Sequence, residues 1–244
     1  MAEATKQKTD DVARSREVAE AARETAWQGK CFLRDLFLGR FDFGLVHPYP
    51  LQELAAERPE FRRFEEELER FLVERVDSDA IDEQGEVPPA VVDELRRMGA
   101  FGMKIPKEYG GLGFSQVEYA RIMRLLGSRD GNLAGLLSAH QSIGVPQPLE
   151  LFGSEELKRR YLPRCARGAI SGFALTEAHA GSDPARLRTT AALSPDGTHY
   201  VLDGSKIWCT NGSVAELLVV MARDPGSGAI SAFVVETGWP GVEV

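Results

Sequence analysis

Cysteine is scarce: the 244-residue chain has three, Cys31, Cys165 and Cys209. They are widely spaced, form no CxxC pair and stand in no Cys/His cluster with zinc spacing, so neither a disulfide framework nor a metal site is indicated. So spare a set of thiols fits a reducing compartment, and a cytoplasmic location is expected. Long apolar runs are lacking too. The longest, residues 217–222, falls far short of the roughly 20 residues that a membrane-crossing helix requires. The first 24 residues include Glu3, Asp10, Asp11, Glu17, Glu20 and Glu24, a pattern of neither a secretory signal nor an acid-poor transit peptide. Positive charge is in deficit, with 29 Lys and Arg against 37 Asp and Glu and a formal net charge of -8. That balance argues against a nucleic-acid-binding surface. No glycine or proline period and no internal repeat are present, which excludes collagen-like and solenoid architectures.

What is present is ordinary globular material, 43% hydrophobic and 27% charged, enough for a chain of this size to bury a sizeable core. Charge is unevenly distributed: only 12 charged residues lie beyond residue 168. The first part therefore reads as surface helices and the second as buried strands. Residues 1–45 form an arm, its first 25 residues with little to bury and a short helical segment at Phe32, Leu33, Leu36 and Phe37 stopping at Gly39. The run Val46-His47-Pro48-Tyr49-Pro50 is an extended link, because proline disfavours helical backbone in the residue before it.

Residues 46–168 read as a helical domain. Phe61, Phe64, Leu68, Phe71 and Leu72 recur every three or four residues, predicting an amphipathic helix within 51–76. A second helix is predicted over 88–98, behind the Pro88-Pro89 pair. Ser115 and Glu118 form a capping box opening a third helix, which Gly127 closes. Residues 131–152 read as a buried helix with a bend near Pro146 and Pro148. Ser154 caps a basic helix ending at Leu162. Beyond residue 168 the period shortens to two. Strands are predicted at 170–175, 187–193, 198–202, 217–222 and 230–235, with a turn at Ser194-Pro195-Asp196-Gly197. The expected fold is α+β, an all-α domain followed by an antiparallel β domain over 169–244.

Several candidate motifs weaken on inspection. Gly110-Gly111-Leu112-Gly113 lacks the GK[ST] ending of a phosphate loop and the third glycine of a dinucleotide fingerprint, so it is a turn between helices. His140 and His179 have no nucleophile motif beside them, and read as a core or pocket residue and a surface residue respectively. Lys158, Arg159 and Arg160 form a solvated basic face. Two segments say more. FALTEAHAGSD, residues 173–183, runs off a strand into a small-residue loop where Gly181 permits close approach of a ligand phosphate. KIWCTNG, residues 206–212, puts Trp208 two residues from Thr210; on a strand both would meet one flat heterocycle, by stacking and by hydrogen bond. Read singly, each is a turn with a core aromatic. Read together, they suggest a cofactor site.

Those two segments, with KIPKEYGGLG at residues 104–113, resemble the acyl-CoA dehydrogenase flavoproteins from about residue 45 to the end. LFLGRFDFGLVHPYP and GLLSAHQSIG are similar to the very-long-chain branch. The family's usual proline after Thr-Glu is replaced here by Ala178, which implies a less rigid loop. The resemblance implies FAD as cofactor. Phe173, Ala174, Leu175 and Thr176 would run beside the flavin ring, with Leu175 and Thr176 hydrogen-bonding its pyrimidine edge. Gly181 and Ser182 would approach the pyrophosphate, Ser182 also standing near the acyl-CoA substrate. Trp208, Cys209 and Thr210 would line the ring.

The implied reaction is α,β-dehydrogenation of fatty acyl-CoA thioesters in β-oxidation, with electron-transferring flavoprotein as acceptor and a homo-oligomer as the full-length form. The family keeps its glutamate base in a C-terminal helical domain. This sequence stops at Val244, so no catalytic residue is expected within it, and the chain is expected to be part of a longer enzyme. Two alternatives remain: an acyl-CoA oxidase or flavin monooxygenase on the same fold, separable by oxygen consumption, and an inert binding or scaffold fragment, separable by sequence past codon 244. One more pattern bears on substrate length. Gly131, Ala134, Gly135 and Ser138 share a helix face, and form either a groove for an acyl tail or a surface for close helix packing.

Overall fold

The structure, a computed structural model, describes residues 30–48 and 58–244. It divides into two compact units, Met1–Arg62 and Arg63–Val244. In the first unit, helix α1 (Phe32–Phe37) gives way to Gly39 at φ +75°, a left-handed conformation suited to glycine. A 3-10 turn follows at Phe43–Leu45, capped by the Asp42 carboxylate, which accepts from the Gly44 N–H at 3.1 Å. The predicted loose arm at 1–25 lies outside the described residues, as do Tyr49 and Pro50 of the predicted link.

Helix α2 (Pro59–Arg75) realises the predicted apolar spacing; from residue 63 onward it buries Phe64, Leu68, Phe71 and Leu72. Helix α3 (Ser78–Gln84) has no counterpart in the sequence expectations. It buries Ile81 alone, too little to leave a periodic signal, and is set by its ends: Asp77 accepts from the Ala80 N–H at 3.0 Å, and Gly85 stops it at φ +68°. Helix α4 is Pro89–Arg97, and α5 is Gln116–Gly127 behind the expected capping box. Between them Gly110-Gly111-Leu112-Gly113 is a turn. A Cβ on Gly111 would lie 2.0 Å from the Ile105 carbonyl oxygen, so only glycine fits that crossing.

The predicted buried helix at 131–152 is three pieces. Helix α6 (Gly131–Ser138) runs into a π-helical turn, Ala139–Ile143, and then α7 (Pro146–Phe152). Helix α8 (Glu155–Ala166) continues past Leu162 and carries Pro163 inside it. Two of its basic residues are engaged: Arg160 and Arg164 reach Glu236 at 3.2 and 2.9 Å.

The β half is a five-stranded sheet of β1 (Ser171–Ala174), β2 (Thr190–Leu193), β3 (Tyr200–Asp203), β4 (Leu217–Arg223) and β5 (Ile230–Glu236). The sheet is mixed, not wholly antiparallel. β2 with β3 and β4 with β5 pair antiparallel as expected, whereas β1 pairs parallel with β4 over Ser171↔Leu217 to Ala174↔Val220. Thr190 of β2 also meets Arg223 of β4 in parallel. Apolar alternation reads the same in either direction, so strand orientation left no mark in the sequence. The core seam between helices and sheet joins Ile105, Val145, Leu149, Leu162 and Cys165 to Leu217 and Val219. It fixes β1, and with it the loop that leaves its end.

Candidate functional site

The two motif segments meet at the end of β1. The Ile207 N–H donates to the Thr176 carbonyl at 2.8 Å, and the Lys206 ammonium donates to the Leu175 carbonyl at 3.2 Å. Gly172 brings them close: a Cβ there would sit 2.8 Å from the Thr210 carbonyl oxygen and 3.2 Å from Cys209 Sγ. Phe173 packs against the core seam and Ala174 is buried. Cys209 stands beside β1, where burial pushes its thiol pKa up. A thiol held protonated is a wall and not a nucleophile. Ala174, Lys206 and Cys209 also line a depression of about 980 Å³ with Leu218, Val220 and Trp239.

Glu177 ties this junction together, a role the sequence reading missed. Its buried carboxylate accepts from the Arg188 N–H at 2.6 Å, the Thr189 N–H at 2.9 Å, the Thr189 hydroxyl at 2.5 Å and Lys206 Nζ at 2.7 Å. His179 Nε2 lies 3.2 Å away. Burial works to raise the Glu177 pKa, but the Lys206 ammonium, the Thr189 hydroxyl and the two N–H groups outweigh it and hold the carboxyl at about 2. Its own N–H and carbonyl close a turn with Ala180 at 2.9 and 3.1 Å, which sets the course of the chain into Gly181 and Ser182. A Glu and a Lys inside the two motifs of a charge-poor half were the available signal.

Residues 206–212 are not a strand. Trp208 sits at φ +56° and Asn211 at φ +67°, left-handed values that break extended backbone. The expected same-face alternation of Trp208 and Thr210 therefore fails as a mechanism, although both side chains are exposed. The core-aromatic reading of Trp208 fails as well, since it is 87% exposed. Asn211 anchors the turn, its side-chain amide donating to the Leu136 and Ser171 carbonyls at 3.0 and 3.1 Å. An exposed large aromatic on strained backbone is a feature that the local fold does not need and a flat ligand can use.

The remaining predicted residues leave hydrogen-bonding capacity unused. Among the described residues, the hydroxyls of Thr176, Ser182 and Thr210 bond to no protein group. A Cβ on Gly181 would meet nothing within 4 Å, so its smallness serves no packing within the chain. A planar ring over Trp208 and an anion approaching Gly181 and Ser182 both fit this arrangement.

His140 is elsewhere and structural. It is fully buried; its Nε2 lies 3.1 Å from the Phe101 carbonyl and its Nδ1 accepts from the Ser171 N–H at 3.0 Å, and burial lowers its pKa to about 4. On α6 the small residues divide. Ala134 Cβ lies 3.9 Å from where a Cβ on Gly127 would be, a packing contact, whereas Gly131 and Gly135 face open space.

Comparison with known proteins places the chain in a family. The model of the acyl-CoA dehydrogenase N-terminal domain matches residues 58–169, and that of the middle domain matches residues 172–244. A probable acyl-CoA dehydrogenase, FadE10, of Mycobacterium tuberculosis is 50% identical over 242 residues, covering 98% of this chain and 37% of its own length. The human mitochondrial very long-chain specific acyl-CoA dehydrogenase is 39% identical over 225 residues, covering 88% of this chain and 34% of its own length. The crystal structure of an acyl-CoA dehydrogenase complexed with FAD from Bacillus anthracis superposes with a TM-score of 0.69 at 36% identity, over 77% of this chain and 32% of that one. The chain thus spans about a third of the length of the curated relatives it matches. The two family models adjoin and between them take in both motif segments, so the chain belongs to the acyl-CoA dehydrogenase family, of which it carries the N-terminal and middle domains.

Proposed function

We propose that this chain forms the flavin-binding face and part of the acyl pocket of an FAD-dependent enzyme that dehydrogenates fatty acyl-CoA thioesters between the α and β carbons. The observation that carries the reading is Trp208, exposed and held at φ +56° beside the end of β1. FAD, when bound, supplies the redox chemistry. The chain's own residues bind and orient. Trp208 offers a stacking face, Thr176 and Thr210 offer hydrogen bonds at the ring, and Gly181 and Ser182 admit the pyrophosphate, with Ser182 also reaching the thioester substrate. Glu177 does not act as the base for the α proton: a carboxylate with pKa about 2 and several donors on it is too poor an acceptor. No described residue of this chain is therefore assigned as the catalytic base.

Two finer points belong to the same proposal. A preference for long acyl tails is proposed from Gly131 and Gly135, where an added Cβ would meet nothing within 4 Å and the helix face is left open. Electron-transferring flavoprotein is the proposed acceptor, and the complete protein a homo-oligomer. The test is an FAD titration of the chain, followed by flavin fluorescence and visible circular dichroism, with Trp208→Ala alongside. Saturable binding with an induced flavin signal, lost in Trp208→Ala, is expected. A folded chain that leaves the flavin spectrum unchanged at saturating FAD would sink the proposal.

A further inference from the structure

The hydrogen bonds around Lys206 do more than join two segments. Its ammonium is held on one side by Glu177 Oε1 at 2.7 Å and donates on the other to the Leu175 carbonyl at 3.2 Å. The Leu175–Thr176 peptide is trans, so its N–H points opposite to its carbonyl. Fixing the Leu175 oxygen on Lys206 therefore turns the Thr176 N–H away from Lys206. The next peptide is fixed as well: the Thr176 carbonyl accepts from Ile207 N–H at 2.8 Å and the Glu177 N–H donates to Ala180 at 2.9 Å. In this doubly anchored stretch the Thr176 N–H is left over. Among the described residues it donates to no acceptor.

We propose that Lys206 is a positioning residue, braced by Glu177, that orients the Leu175–Thr176 peptide so that the Thr176 N–H donates to the edge of the bound flavin ring. This rests on the flavin reading above and names how the site is set. Glu177 is the brace because its other acceptor positions are taken by Arg188 and Thr189, which immobilise it against the start of β2. Without that brace a lysine's flexible stem would not hold one carbonyl in one direction.

The test compares FAD binding and the visible circular dichroism of bound flavin in the wild-type chain, Lys206→Met, Lys206→Arg and Glu236→Gln. The last breaks the remote contact with Arg160 and Arg164 and serves as a stability control. Lys206→Met is expected to weaken FAD binding roughly tenfold, the scale of one well-placed hydrogen bond, and to shift the flavin signal. Lys206→Arg is expected to recover part of both. Glu236→Gln is expected to lower the melting temperature and leave both unchanged. If Lys206→Met does not melt cooperatively, Lys206→Gln, which keeps a donor without the charge, takes its place in the comparison. Wild-type affinity and an unshifted signal in the Lys206 variant overturn the proposal. So does an equal loss in Glu236→Gln, which would reduce Lys206 to a contributor to general stability. Failure of the wild-type chain itself to bind FAD overturns the functional reading beneath it, a separate outcome.

Discussion

Trp208 holds a backbone conformation that costs a residue with a Cβ roughly 1–2 kcal/mol, and its ring is 87% exposed, so burial returns little of that cost. The strain is relieved by glycine. Trp208→Gly is therefore expected to leave the unfolding free energy unchanged, or to raise it by up to about 1 kcal/mol, while abolishing flavin binding. Chemical denaturation and FAD titration of the same samples check both halves. A loss of about 3 kcal/mol or more, the scale for truncating a buried aromatic, would show that the ring packs inside the protein. The residues around Trp208 marked it out, but not its geometry. KIWCTNG looks extended because Ile207, Trp208 and Thr210 favour strands. The left-handed values at Trp208 and Asn211 arise from long-range bonds, Asn211 to Leu136 and Ser171 and Ile207 to Thr176, that no local window contains.

At the scale of elements, legibility followed burial and capping. Helices α2, α4 and α5 were readable because each buries several residues at helical spacing or opens with a recognisable cap, and the β2–β3 hairpin because Pro195 and Gly197 specify its turn. Helix α3 was not, with Ile81 alone inside. The break of the 131–152 stretch into α6, a π-helical turn and α7 was legible only as a bend at the prolines, since His140 and Gln141 are drawn inward by partners far along the chain, Phe101, Ala100 and Ser171. Gly135 faces open space, so Gly135→Leu has room for its Cβ and is expected to fold, yet its side chain would stand in the proposed tail groove. Each methylene that a tail buries contributes about 0.8 kcal/mol. Under the proposed function, Gly135→Leu should therefore weaken long-tailed acyl-CoA progressively and spare short tails. An equal loss at every tail length, read from KM or binding across a chain-length series, would show packing damage instead.

The second unit as a whole is held by polar ties that cross from helices to sheet, and these give stability a pH dependence in two windows. His140 bridges Phe101 and the start of β1 through Ser171, and burial holds its pKa at about 4, below the usual 6.5. Between those values the unfolded chain takes up a proton that the native state refuses, so stability is lost as pH falls from about 6.5 towards 4. At about 1.4 kcal/mol for each factor of ten, the most this site can remove is roughly 3 kcal/mol. Glu177 and Glu236 act lower. Both carboxyls are held below their ordinary range, Glu177 at about 2 against burial by Lys206, Thr189 and two N–H groups, and Glu236 chiefly by Arg164. Their contribution is present above the usual carboxylate range and is lost progressively as pH falls from that range through their lowered values. General self-repulsion predicts the opposite trend at first, because the net charge of -8 shrinks as acids begin to protonate. His140→Gln removes the titrating ring and keeps a neutral polar side chain. Urea unfolding of wild type near pH 7 and near pH 4.5 should show a marked drop in stability, and His140→Gln, less stable at neutral pH for its lost hydrogen bonds, should show a clearly smaller drop. If the two proteins lose the same amount across that interval, His140 is not the group that makes the fold sensitive to mild acid.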